Sequence, residues 1–97
     1  MKMKYSPEAR DELLEIAQYI RKRSKVGAKN VKIDIVKSIQ SLATSPKLGK
    51  PQAGRPVRKL ITPQFHYIIY YLSNEAADEI TVLNIFDPAQ DRSAIDE

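Results

Sequence analysis

Apolar residues recur along this chain at two periods, and the change from one to the other divides it. Ala9, Leu13, Ile16, Ala17 and Ile20 fall at spacings of three and four, the signature of a helix with one apolar stripe. Ser6 and Pro7 announce its start: a serine N-cap accepts an orphan backbone N–H, and proline at the first helical position lacks only an N–H that would go unpaired. Glu8, Asp11 and Glu12 near the start and Arg21, Lys22 and Arg23 at the end complement the helix dipole. Ahead of the helix, Met1–Tyr5 alternates as a short strand with Met1, Met3 and Tyr5 on one face.

A short connection over Ser24–Gly27 leads to a second predicted helix, from about Ala28 to Thr44. Its inner stripe is Ala28, Val31, Ile35, Ile39, Leu42 and Ala43, widened by Ile33 and Val36, so burial against both a helix and a sheet is expected. It ends before Ser45-Pro46, since proline pushes the preceding residue out of helical geometry. Helices joined by so short a link pack as an antiparallel hairpin.

From Pro46 the texture changes. Pro46, Gly49, Pro51, Gly54 and Pro56 punctuate an irregular loop, after which the two-residue period takes over. Strands are predicted over Val57–Ile61, His66–Leu72 and Glu79–Phe86, joined by turns at Thr62-Pro63-Gln64 and Ser73–Asp78. The last is apolar enough on both faces to be read as central. The order β-α-α-β-β-β predicts an α+β fold with an N-terminal helical hairpin packed on a mainly antiparallel β-sheet. The sheet's other face is left solvated or offered to a partner. At 97 residues the chain is read as one domain, with residues 87–97 as a polar tail.

Composition removes several chemistries. Zero cysteines exclude disulfides and thiolate chemistry, and a single histidine, His66, excludes paired-His zinc spacings, so no metal is expected. Three glycines and no glycine-rich phosphate loop argue against a cofactor or a small-molecule substrate. No apolar run approaches a membrane span, and the start turns acidic where a signal peptide would be apolar, so a cytoplasmic protein is expected.

Charge adds more. Residues 1–73 carry 15 Lys or Arg against five acids, whereas residues 74–97 carry Arg92 alone against seven. Within the basic part, Lys47, Lys50, Arg55, Arg58 and Lys59 lie in fifteen positions without one acid, a patch suited to an acidic partner or to simple solvation. Leu14, Ile33 and Val36, set off the inner stripes, are the apolar candidates for a partner groove. Tyr67, Tyr70 and Tyr71 would suit base stacking, but tyrosine is equally at home in sheet packing.

The series YSPEARDELLEIAQYI, PKLGKP, VRKL, YIIYY and ITVLNIF, in this order, resembles ParE toxins of type II toxin-antitoxin modules from Tyr5 to about Arg92. That resemblance implies the β-α-α-β-β-β fold, a cognate ParD-like antitoxin, inhibition of DNA gyrase without catalysis, and contact with operator DNA only through the antitoxin. The same superfamily holds RelE-like, ribosome-dependent mRNA interferases, which need basic groups for the phosphorane and a proton donor. Under that alternative His66, Tyr67 and Arg92 would be catalytic. His66 is more simply read as a hydrogen-bonded surface side chain, and one arginine between aspartates is a poor phosphate clamp. A third alternative is a degenerate member acting only as an antitoxin-binding corepressor.

Overall fold

The computed structural model describes residues 1–88. Seven elements follow one another: β1 (Lys2–Tyr5), α1 (Pro7–Arg21), α2 (Lys25–Ser41), β2 (Lys50–Pro51), β3 (Val57–Ile61), β4 (Ile68–Asn74) and β5 (Glu79–Phe86). The strands form one sheet in the order β1-β5-β4-β3-β2. Only β1 and β5 run parallel, with Met3 beside Ile80 and Tyr5 beside Val82. The predicted α+β architecture is the one observed.

Both helices start on serine. Ser6 Oγ accepts the Ala9 N–H at 2.9 Å and donates to the Leu83 carbonyl at 2.7 Å, so one hydroxyl caps α1 and ties it to β5. Ser24 Oγ accepts the Gly27 N–H at 2.9 Å, which starts α2 at Lys25, three residues before the expected Ala28. The link read as Ser24–Gly27 is thus mostly the first turn of a helix, because a serine cap outweighs the low helix propensity of one glycine.

The core lies between the hairpin and one face of the sheet. Ala9 from α1, Val31, Ile35 and Ile39 from α2, and Ile69, Val82 and Ile85 from the sheet are buried together. Leu42, Tyr71 and Ile80 continue it at the far end. Strict alternation cannot place Ile80, Val82 and Ile85 on one face. A register shift does: Tyr70 lies beside Asn84 and Tyr71 beside Val82, so Leu83 is an extra residue that resets the pleat.

Three expectations about strands are corrected. β4 begins at Ile68, not His66: His66 has φ 60, and the Tyr67 N–H is taken at 2.9 Å by Thr62 Oγ1, so the turn consumes the backbone groups a ladder would need. β5 is interior but not the middle strand, which is β4, and full burial is confined to its helix-facing side. β2 lies within the stretch expected to be an irregular loop, because two residues, one a proline, carry no period. It pairs with β3 through Lys50–Lys59 and Pro51–Arg58.

Candidate functional site

Two open grooves flank the hairpin. One, of about 510 Å³, runs between α2 and the outer edge of the sheet, lined by Ile33, Lys37, Ser41, Leu48, Leu60, Ile61 and Pro63 among others. Leu48 is 55% exposed and Ile33 42%, so two large exposed apolar side chains face this groove, with the β3 edge at Leu60 and Ile61 as its floor. Exposed apolar side chains gathered in a groove are a feature of interaction sites.

Two anchors shape this groove. At one end the Tyr71 phenol, buried beneath the sheet end, accepts the Gly49 N–H at 2.8 Å and donates to the Pro46 carbonyl at 2.8 Å. The Arg58 guanidinium, beside it, donates to the Gly49 carbonyl at 2.7 Å and the Lys47 carbonyl at 3.3 Å. Together they draw the 46–49 loop inward. A Cβ on Gly49 would stand 2.7 Å from the Tyr71 ring and hydroxyl, so only glycine fits this approach. At the other end the buried Asp34 carboxylate of α2 accepts the Phe65 N–H at 2.8 Å and the Gln64 N–H at 3.4 Å, holding the β3–β4 turn against the helix.

Of the basic residues identified in the sequence, Lys47, Lys50 and Arg55 are exposed: Lys47 adjoins Leu48 of the groove, Lys50 lies on β2, and Arg55 lies in the turn between β2 and β3. They form no ion pair among the described residues, whose only pairs join the N-terminal ammonium to Asp78 and Lys4 to Glu79. Arg58 is half-buried and engaged with the loop carbonyls, and the Lys59 ammonium lies 5.9 Å from the Tyr70 ring centroid. Of the apolar picks, Ile33 lines the groove. Leu14, 56% exposed on α1, and half-buried Val36 do not. Leu48, Leu60 and Lys37 were missed. Leu48 carried a faint signal, as the one leucine inside an otherwise basic, proline-punctuated loop.

The second groove, about 660 Å³, lies between α1 and the end of β5 and includes Glu12, Glu15, Tyr19, Tyr67, Phe86 and Asp87. Glu12 accepts the Ile85 N–H at 2.9 Å, covering the stretch of β5 that β1 does not reach. Burial pushes the Tyr67 phenol pKa up, and the negative charge of Asp87 pushes it the same way. His66 is exposed on its turn, and Arg92 lies outside the described residues. Tyr67 and His66 are therefore adjacent in sequence but differently placed, the phenol sitting among carboxylates. Among the described residues no cluster of His, Cys, Asp or Glu could hold a metal ion, and no helix is long and apolar enough to cross a membrane.

The sheet and hairpin thus leave an open groove on each side of the hairpin. The chain matches, over residues 3–92, the family described as ParE toxin of type II toxin-antitoxin system, parDE, and it belongs to that family. Its fold is similar to a solved structure described as a chromosomal ParDE TA system from P. aeruginosa, with a TM-score of 0.74 at 22% identity, covering 90% of this chain and 95% of that one. No curated protein matches the chain.

Proposed function

We propose that this ParE toxin inhibits DNA gyrase by binding it, without catalysis, and is neutralised by a cognate ParD-like antitoxin that occupies the apolar groove between α2 and the sheet edge. The antitoxin, in turn, is the part that contacts operator DNA. The observation that carries the neutralisation is the exposure of Ile33 and Leu48 in one groove that ends on the β3 edge at Leu60 and Ile61, with exposed Lys47 and Lys50 in the adjoining loop and strand. A partner covering it should bury well over about 1,200 Å² in total, as stable partners do.

The surroundings of Tyr67 favour this reading over mRNA cleavage. A phosphorane needs positive charge, while Glu12, Glu15 and Asp87 around that phenol would repel it. The decisive experiment adds the purified chain to gyrase and relaxed plasmid, and separately to translating ribosomes. Loss of supercoiling that the antitoxin restores is the expected result. Cut mRNA with unaffected supercoiling would replace this proposal with the interferase reading, and no effect in either would leave the corepressor.

A further inference from the structure

The outer edge of β3 is covered over only part of its length. β2 pairs with it at Lys59 and Arg58 and then leaves, because Gly49 is drawn inward to the Tyr71 hydroxyl. The Thr62 N–H is bonded to the Tyr67 carbonyl at 2.9 Å, toward β4. By the alternation of an antiparallel ladder, Leu60 also points its backbone groups toward β4, and Ile61 points both of its groups outward. The first groove opens at this stretch: Leu60 contributes to its wall from the helix-facing side, and the Ile61 side chain stands on the opposite face.

We infer that this stretch accepts an extended acidic segment of the antitoxin as an added antiparallel strand, bonded through the backbone of Ile61. This rests on the neutralisation proposed above and specifies its chemistry. Alternate side chains of an added strand point to opposite faces. Apolar ones enter the groove beside Leu48, Leu60 and Ile33. The acidic ones lie on the open face, on the side of Lys50, which stands opposite Lys59 on that face. Antiparallel addition is the more stable of the two ladders, and it sets residues opposite Ile61 on the open face. The acidic residues are therefore the ones whose N–H and C=O bond β3. A helix in the groove would use none of these backbone groups.

The test uses the full chain and a capped peptide alternating leucine and glutamate, read by fluorescence anisotropy and amide exchange. Saturable binding is expected, with Ile61 exchange slowed while Leu60 and Thr62 are unchanged. N-methylation of the glutamate residues should weaken binding about two- to tenfold, as loss of a bond to the β3 edge implies, and N-methylation of the leucines should not. Replacing glutamate by lysine in the peptide, or Lys50→Glu in the protein, should also weaken it, with the variant's fold checked by circular dichroism. No saturation up to millimolar peptide, equal effects of the two methylation patterns, unchanged Ile61 exchange or a gain of helix would each overturn the inference. Gyrase inhibition is read separately, so failure of strand addition and failure of the toxin reading give different results.

Discussion

The Tyr71 hydroxyl and the Gly49 amide meet at 2.8 Å across 22 residues of sequence, and this contact decides where the sheet edge ends. Removing it by Tyr71→Phe leaves the Gly49 N–H and the Pro46 carbonyl without their partner. We expect a loss of about 1–3 kcal/mol in denaturant unfolding. Gly49→Ala should cost a similar amount, through the clash with the Tyr71 ring, and the double variant should cost less than the sum, since both break one contact. Additive losses would show that the latch is not a unit.

Asp34 and Glu12 each spend a carboxylate on backbone amides. Asp34→Ala frees the Phe65 and Gln64 N–H groups, and Glu12→Ala frees that of Ile85. Each should destabilise by about 1–3 kcal/mol, while Asp34→Asn and Glu12→Gln, which keep an oxygen acceptor, should lose less. Chemical denaturation of the four variants checks this.

Stability should fall in alkali. Burial raises the phenol pKa values of Tyr5, Tyr67 and Tyr71 in the folded chain above the ordinary 10.0. For Tyr71 the Gly49 hydrogen bond and the Arg58 charge oppose that rise without reversing it. The unfolded phenols ionise first, so the stabilisation is complete below pH 10.0 and is lost as pH climbs through the raised folded values. Tyr5→Phe removes one such group and should flatten the decline, measured as unfolding midpoints from pH 9 to 11 or so.

His66→Ala should leave gyrase inhibition intact, because binding requires no proton transfer from an exposed turn residue. At φ 60 His66 also carries backbone strain, of roughly 1–2 kcal/mol for a residue with a Cβ. His66→Gly relieves that but adds about 0.5–1 kcal/mol of unfolded-state entropy. The net expectation is a small gain in melting temperature. Loss of toxicity in folded His66→Ala, together with cleaved mRNA, would support the interferase.

Charge on the β2 strand and the turn after it should act on encounter. Reversing Lys50 and Arg55 to Glu should slow association with the antitoxin and flatten its salt dependence, with smaller change in dissociation. Arg58 is unsuitable for this test, because its reversal would also release the 46–49 loop. Stopped-flow rates at two salt concentrations decide it, and identical rates for wild type and variant would remove these side chains from recognition.

Local chemistry was legible in the sequence. The Ser6-Pro7 start, the stripes through Ile16 and Ile35, and the β-rich runs at Val57 and Glu79 stand where their periods put them, because capping and amphipathic burial depend on near neighbours. The basic cluster was visible too, but not its division of labour. Whether a cation is free or engaged depends on what faces it: Arg58 meets two carbonyls from nine and eleven residues away, while Lys50 stands exposed beside it. Tertiary structure alone decided the short β2, the extra residue at Leu83, the turn held by Asp34 and the unpaired edge at Ile61. Each depends on how separate segments meet, where packing and backbone hydrogen-bond completion outweigh any local pattern.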